Sequence, residues 1–374
     1  MLKHFLTAFL IVVCATVCSA QENWKIHQPK LTPQQSGTTQ LLISVSPVDS
    51  RVVWAAGTGG TYVLTTDGGE HWKAAVVPGA ENDQFRDVYG VSDKVAYLMS
   101  IGNNTTDFKV YKTTDGGAHW TIQFTNQDPL AFYDCFAFWT PDRGITHSDS
   151  GNGVFPDIRT TNGKTWESIA GNMPPALPGE ASFAASGTCI AAQGKTNAWI
   201  TTGGGTIARI LATKDEGKTW NAYDTPLLSS PSAGGVSVAF RDSRHGIVGG
   251  GDLNSNTSAD AATSEDGGRT WTLTSAPPLQ GAIFCLAYIS GTEHRDDEGS
   301  GWGSGEASEK FEHTVVITTE TEPDFSSGEA AFTPDEGSTW IPIPGASGYW
   351  AVAFANPHAG WFVGNNGEIL KISF

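Results

Sequence analysis

The chain has 374 residues, with 39 acidic against 22 basic residues and a formal net charge of −17 at pH 7. Such a surface repels phosphate backbones and anionic lipid, so the composition argues against nucleic-acid binding and against a membrane-surface role. The 44 glycines and 13 tryptophans, with only 3 methionines, are typical of a β-protein with many turns and recurrent aromatic packing.

The first 20 residues have the pattern of an export signal. Lys3 and His4 precede an apolar run at residues 5–17, and small residues lead up to Ala20. The run is too short to span a bilayer comfortably, and no later segment is long and apolar enough to do so. We expect cleavage near Ala20 and export of residues 21–374 to a periplasmic or extracellular location. Val17 before Cys18 disfavours a lipoprotein.

A short motif, Ser/Thr-x-Asp-x-Gly-x-x-Trp, recurs along the chain and is called the box below. Copies lie at residues 65–72, 113–120, 213–220, 264–271 and 333–340, with a degraded copy at 160–166. The Asp can accept backbone N–H bonds across a hairpin turn, the glycines tolerate positive φ, and the Trp opens the next strand. We therefore predict structural roles for Asp67, Asp115, Asp215, Asp266, Asp335, Trp72, Trp120, Trp166, Trp220, Trp271 and Trp340.

Each repeat contains four predicted strands, A to D, with the box at the turn between C and D. Alternating apolar residues and dense turn signals favour strands over helices. Six box tryptophans open six D strands, and the C-terminal stretch supplies strands A to C of another blade without its D strand. Residues 23–27, with Trp24, resemble the missing strand. The prediction is an all-β fold, a single seven-bladed β-propeller whose N-terminal strand completes the last blade.

The cysteines and one long segment contain residue types that can form disulfides or bind metals. Cys135, Cys189 and Cys285 remain after cleavage, and their long spacings indicate neither a disulfide framework nor a metal site. We predict that they are small buried residues packed between blades. Residues 291–313 are rich in glycine, serine and acidic residues and are predicted to be a flexible insertion, with a divalent-cation site as the alternative.

The boxes, together with residues 85–88, 132–139 and 179–187, resemble the photosystem II stability/assembly factor-like propellers. The resemblance covers essentially the whole exported chain and is closer to that family's exported branch in non-photosynthetic bacteria. It implies a seven-bladed propeller and, in the photosynthetic members, an assembly chaperone that binds a membrane-protein precursor. One fold hosts many activities, so the resemblance implies the fold more strongly than the function.

In a propeller, the start of strand A and the B–C loops share one rim of the central channel, opposite the boxes. Convergent polar groups at such a mouth are a usual place for a ligand site. The candidates for ligand or partner binding on this rim are Arg86, Asp87, Asp134, His147, Asp149, Glu180, Arg209 and Asp252. The alternative is that these groups only form turn hydrogen bonds and rim ion pairs.

The pattern favours a binding or assembly propeller that recognises a protein or peptide partner at the rim, acting as a monomer without cofactor or metal. No complete catalytic set is visible. A glycoside hydrolase, sialidase-like or glucanase-like, is the alternative, because boxes of this kind also occur in those enzymes; carbohydrate is then the ligand. The glycine-rich stretches at 201–206 and 249–252 do not lie in a βαβ unit, so dinucleotide binding is disfavoured.

Overall fold

Seven four-stranded antiparallel sheets form a ring in the computed structural model, which describes residues 28–289, 311–321 and 328–374. The innermost strand of each sheet contacts the innermost strands of the sheets before and after it, and the seventh contacts the first. This arrangement is a seven-bladed β-propeller, and the predicted fold class is confirmed.

Strands are numbered in chain order and given from the inner strand A to the outer strand D of each blade. Blade 1 contains β2 (Leu42–Pro47), β3 (Val53–Gly57), β4 (Thr61–Thr65) and β5 (Lys73–Val76). Blade 2 contains β6 (Gln84–Gly90), β7 (Ala96–Ile101), β8 (Lys109–Thr113) and β9 (Thr121–Thr125). Blade 3 contains β10 (Tyr133–Thr140), β11 (Arg143–Ser148), β12 (Ile158–Thr160) and β13 (Glu167–Ser168). Blade 4 contains β14 (Ile190–Gln193), β15 (Asn197–Thr201), β16 (Arg209–Thr213) and β17 (Asn221–Asp224).

Blade 5 contains β18 (Ala233–Phe240), β19 (Gly246–Asp252), β20 (Asp260–Ser264) and β21 (Thr272–Leu273). Blade 6 contains β22 (Ala282–Tyr288), β23 (Val315–Glu320), β24 (Ala330–Thr333) and β25 (Ile341–Pro342). Blade 7 contains β26 (Tyr349–Asn356), β27 (Ala359–Gly364), β28 (Glu368–Ser373) and β1 (Lys30–Gln35). Short 3₁₀-helices lie at Thr105–Asp107, Ala170–Asn172 and Asn365–Gly367.

The ring is closed by the N-terminal strand, as predicted, but the strand lies later in the chain than expected. Strand β1 pairs antiparallel with β28, from Lys30 opposite Ser373 to Gln35 opposite Glu368. The expected residues 23–27 lie outside the described part of the chain, as do the predicted signal segment and residues 291–310 of the predicted insertion. Strand β1 contains a proline and was therefore missed; an outermost strand tolerates proline because one of its edges is unpaired.

Each complete box closes its C–D turn through its own side chains. Thr65 Oγ1 donates to Asp67 Oδ1 at 2.8 Å and accepts the N–H of Gly69 at 3.0 Å. Asp67 Oδ1 also accepts the N–H of His71 at 2.9 Å. The same hydrogen bonds to the aspartate recur in the boxes of Asp115, Asp215, Asp266 and Asp335. These hydrogen bonds give the box aspartates a role inside their own turns.

Tryptophans of the boxes and tryptophans of other strands both contact neighbouring blades; Trp120, for example, packs edge-on against Trp54 of blade 1. Among the box tryptophans only Trp220 is buried, and the other five are partly exposed. Trp54, Trp139 and Trp199 are fully buried on strands A or B, and each indole N–H donates to a backbone carbonyl of the next blade at 2.7–3.0 Å. Blade-to-blade packing therefore uses aromatic side chains of strands A and B together with those of the boxes.

Side chains from one repeated feature of strand A fill the centre of the ring. Six A strands contain a β-bulge near their start, and a bulge adds one unpaired residue that re-aims the strand's side chains. The extra residues are Ile43, Arg86, Asp134, Val236, Phe284 and Trp350. The four apolar ones pack together in the centre with Ala185 of blade 4. The channel is thus largely apolar, with charged residues from blades 2 and 3.

Blade 4 enters the centre differently, through residues 183–188, which we call the plug. Ser186 Oγ donates to the carbonyl of Phe284 in blade 6 at 2.6 Å. Arg86 of blade 2 donates to the carbonyl of Ala185 at 3.4 Å. The plug therefore links blades 2, 4 and 6 across the ring.

A disulfide joins Cys135 of β10 to Cys189, the residue after the plug, with 6.0 Å between their Cα atoms. The three cysteines are buried, as predicted, but the interpretation that their spacing indicates no disulfide was wrong. The bond forms because strands A of blades 3 and 4 are neighbours in the ring, which the spacing of 54 residues does not reveal. Cys285 is a free, buried thiol in β22.

Replacing both Cys135 and Cys189 with alanine should lower the free energy of unfolding by about 2–4 kcal/mol, because the unfolded chain gains the entropy of an open loop. The measurement is denaturant unfolding of the exported chain with and without a reductant. Reductant should destabilise the parent and leave the double variant unchanged. Equal stability of the parent in both conditions would contradict the prediction.

Candidate functional site

The most unusual polar group on the rim is a pair of carboxyl groups, Asp134 and Asp149. Asp134 lies in β10 and is 1% exposed; Asp149 directly follows β11, and the two side chains form a hydrogen bond. Burial raises the pKa of Asp134 well above its usual value, and the charge of Asp149 raises it further. Burial also raises the pKa of Asp149, whereas the N–H of Ser182, 2.9 Å from its Oδ1, lowers it.

A hydrogen bond between two carboxyl groups needs a proton on one of them, and like charges so close do not both ionise. Burial favours the proton on Asp134, the more deeply buried of the two, and so favours the negative charge on Asp149. Among the described residues, Asp134 Oδ2 has no N–H or O–H donor. The pair is therefore a buried polar group that the protein itself leaves incompletely hydrogen-bonded.

Asp149 forms part of the wall of a pocket of about 410 Å³ on the rim between blades 3 and 4. The pocket is lined by residues from two segments, 149–153 in the B–C loop of blade 3 and 176–181 in the connection to blade 4. The N–H of Ala176 donates to the carbonyl of Gly153 at 3.0 Å, and Ser150 Oγ donates to the carbonyl of Glu180 at 2.5 Å. These hydrogen bonds hold the two walls together.

Three large apolar side chains are exposed beside the pocket. Leu130, Phe132 and Val154 are 50%, 37% and 47% exposed. Leu130 lies against Gly151, whose N–H bonds the carbonyl of Val154 at 2.8 Å, and the carbonyl of Phe132 accepts the N–H of Asp149 at 2.9 Å. We call these three side chains together with the pocket the blade-3 rim surface.

Arg86 and Asp87 lie at the centre of the ring rather than in the pocket. The Arg86 guanidinium lies 5.6 Å from the centre of the Trp350 ring, and burial lowers its pKa to about 10, against the opposing effect of Asp134. The carboxylate of Asp87 is buried and accepts the backbone N–H groups of Val88 and Phe136 at 2.8 and 2.9 Å. Asp87 therefore links blade 2 to blade 3.

His147 forms a buried pair with Asp157, a residue that the sequence reasoning missed. His147 Nδ1 lies 2.9 Å from Asp157 Oδ2, both side chains have no exposed surface, and Asp157 Oδ1 accepts the N–H of Ser148 at 3.0 Å. Pairing β11 with β12 in the correct register, Thr146 opposite Ile158, would have placed the two residues together. The His147–Asp157 pair is therefore part of the buried packing beneath the rim, and Asp157 also fixes the backbone at the end of β11.

Glu180, Arg209 and Asp252 each form local interactions, which are most complete for Glu180. Glu180 accepts two hydrogen bonds from Arg209, at 2.8 and 2.5 Å, and its oxygens also accept a backbone N–H and a threonine hydroxyl at 2.7 Å. Asp252 accepts a serine hydroxyl at 2.8 Å and a backbone N–H at 3.0 Å. Of the eight predicted rim residues, the structure thus brings Asp134 and Asp149 together at the pocket, with Glu180 in its wall.

No family model and no curated protein matches the chain. Among solved structures, it is similar to YCF48 bound to a D1 peptide (TM-score 0.61, 15% identity, covering 93% of this chain and 97% of that one). It is also similar to YCF48 from Cyanidioschyzon merolae (TM-score 0.62, 15% identity, 92% and 98%). The GH74 xyloglucanase from Xanthomonas campestris gives a TM-score of 0.58 at 13% identity, over 91% of this chain and 53% of that enzyme.

The fold is therefore a YCF48-like seven-bladed propeller, and identities this low show the fold alone. In the described part of the chain, none of the helices has the length and apolar character needed to cross a membrane.

Replacing Asp134 with asparagine should reduce the pH dependence of stability. The pKa of Asp134 is raised in the folded protein from an unfolded value of 3.8. The folded protein then holds a proton that the unfolded chain releases, so this group's contribution to stability falls as pH rises above about 4. Between about pH 5 and pH 8 the parent should therefore lose stability relative to Asp134→Asn.

Denaturant unfolding at both pH values measures this difference. Asp252→Asn, which removes a carboxyl group from the rim of blade 5, is the control and should keep the pH dependence of the parent. Parallel pH profiles for the parent and Asp134→Asn would show that the shared proton is absent.

Proposed function

We propose that this propeller binds a protein or peptide segment across the blade-3 rim surface. The observation that carries the proposal is the grouping of exposed apolar side chains beside an acidic pocket. Among the described residues, seven large apolar side chains are exposed, and Leu130, Phe132 and Val154 lie together here. Exposed apolar groups rimmed by polar ones are typical of interaction sites.

The similar fold of YCF48 in its complex with a D1 peptide supports a peptide as the partner. On a rigid ring, exposed backbone groups and apolar side chains can hold an extended segment with little rearrangement of the propeller. The net charge of −17 favours partners of opposite charge, since complementary charge speeds association. We propose an assembly or binding role of this kind, with the propeller itself acting as a monomer.

The proposed location is outside the cytoplasm, in the periplasm or the extracellular medium. Residues 1–20 have the pattern of an export signal, and the Cys135–Cys189 disulfide is of the type that persists in oxidising compartments.

Binding is favoured over glycoside hydrolysis by the geometry of the carboxyl pair. Glycosidases place their two carboxyl groups about 5–9.5 Å apart, on either side of the scissile bond. Asp134 and Asp149 share a hydrogen bond, and Asp134 is buried, so they cannot flank a sugar linkage. The similarity to the xyloglucanase is one of fold, and this chain spans about half of that enzyme.

The proposal predicts that polar substitutions of the exposed apolar side chains in the blade-3 rim surface weaken peptide binding without affecting the fold. Peptides would be selected from a random phage-displayed library on the exported chain, residues 21–374, and their affinities measured by fluorescence anisotropy. Replacing Leu130 and Val154 with serine should weaken binding about tenfold or more, because apolar contact area at the interface is lost.

The matched control replaces Ile122 and Leu273 with serine, since these side chains are 53% and 52% exposed but lie on or beside outer strands away from the rim. The control should bind the selected peptides as the parent does. Failure to select any peptide, or equal weakening by both double variants, would overturn the proposal.

A further inference from the structure

We infer that the pocket between blades 3 and 4 takes a lysine or arginine side chain of the bound segment. The inference rests on the proposed function and specifies the chemistry of the partner at this site. It is carried by the pocket's shape, by the unneutralised carboxylate in its wall and by the apolar residues opposite that carboxylate.

The first observation is that Asp149 lacks a cationic partner. No lysine or arginine of the described chain forms an ion pair with it, whereas two other acidic groups on this rim have one: Lys109 Nζ lies 3.0 Å from Asp83 Oδ2, and Arg209 binds Glu180. Arg86, which faces Asp134, is held in the channel by Trp350 and the plug. A negative charge in a partly buried place is costly unless it is paired. A cation from outside would supply the missing partner.

The second observation concerns what lies behind Asp149. Asp134 is almost completely buried, its Oδ2 has no donor among the described residues, and its carboxyl group is hydrogen-bonded to Asp149. Asp134 does not line the pocket, so an N–H donor that enters it meets Asp149, with the carboxyl group of Asp134 directly behind. Ammonium and guanidinium groups, which carry donors only, match this demand.

The third observation separates a side chain from a bare metal ion. The opposite wall includes Ala176, Leu177 and Pro178, which present apolar surface to the cavity. The stems of lysine and arginine cover apolar surface while their charged ends reach a polar group. The described residues place no three acidic, histidine or cysteine ligand atoms within 4.8 Å of one another in this pocket, so a metal cage is not formed.

The size of the cavity fits this occupant. At about 410 Å³ the pocket lies at the lower end of the range for ligand sites and is open to the rim surface. Leu130, Phe132 and Val154 lie next to its mouth, so a segment lying over them could place one long side chain into the pocket. The segment that fits is an apolar peptide with one basic residue.

The test uses synthetic peptide pools in which one central position is fixed as lysine, arginine, norleucine, glutamine or glutamate and the flanking positions are random apolar residues. Binding to the parent chain, residues 21–374, is measured by biolayer interferometry. The lysine and arginine pools should bind at least about tenfold more tightly than the norleucine pool, a difference of about 1.4 kcal/mol. In Asp149→Asn this preference should disappear while the norleucine pool still binds.

Asp252→Asn is the matched control, because it removes the same charge from the corresponding end of strand B in blade 5, away from the pocket. It should keep the preference for basic pools. If Asp149→Asn does not fold, Pro178→Lys offers a second test that leaves the carboxyl pair intact. Its own ammonium should occupy the exposed mouth of the pocket and weaken lysine-pool binding at least about tenfold more than Pro178→Gln does.

The outcomes separate the two proposals. Binding of all pools with equal affinity, or a basic preference that survives in Asp149→Asn, overturns the lysine or arginine pocket while peptide binding stands. Binding of none of the pools overturns the proposed function and this inference together. If both Asp149→Asn and Asp252→Asn lose the preference for basic pools, the preference comes from the overall charge of the protein. That result would also overturn the assignment of the pocket to a lysine or arginine side chain.

Discussion

The pairing of β1 with β28 is the constraint on which the other features depend. Six antiparallel residue pairs, from Lys30–Ser373 to Gln35–Glu368, join the two ends of the described chain in one sheet. An open ring would leave two blade faces and a sheet edge exposed, which is unfavourable for apolar surface and for unpaired backbone groups. Closure fixes the seven inner strands at one distance from the axis, so their bulged residues must meet in the centre.

That convergence explains why the rim contains both structural and unsatisfied polar groups. Most bulged residues are apolar and pack with one another, but blades 2 and 3 contribute Arg86 and Asp134. Arg86 is placed against Trp350 and the plug, across the channel. Asp134, although buried, lies next to Asp149, so the carboxyl pair connects the closed interior to the pocket on the surface.

The fold was predictable from the sequence because its signals are local and repeated. The box places a C–D turn in almost every blade through hydrogen bonds among neighbours in sequence, such as Thr65 with Asp67. Features that depend on contacts between blades were not predictable. The disulfide between Cys135 and Cys189 depends on which inner strands are adjacent, and β1 has no box and contains Pro33.

The candidate site was predicted only in part, for the same reason. Sequence position placed Asp134 and Asp149 on one rim, but it could not show that these two share a hydrogen bond while Glu180 is bound by Arg209. Nor could it identify Leu130 and Val154, which resemble ordinary strand or loop residues until their exposure is known. The type of a residue shows which interactions its side chain can form, but only the packing shows which of those interactions the folded protein leaves unformed.

The contrast between Glu180 and Asp149 illustrates how function is separated from structure on this rim. Both are acidic, both line the same pocket and both are largely shielded from solvent. The side chain of Glu180 accepts four hydrogen bonds, two of them from a guanidinium, so its charge is already balanced within the fold. Asp149 has one backbone N–H and a neighbouring carboxyl group.

A buried charge is tolerated in proteins when it is paired, and a buried charge that is imperfectly paired lowers the stability of the fold. A partner that brings the missing donor recovers that cost on binding, which makes the least satisfied carboxylate the natural place for recognition.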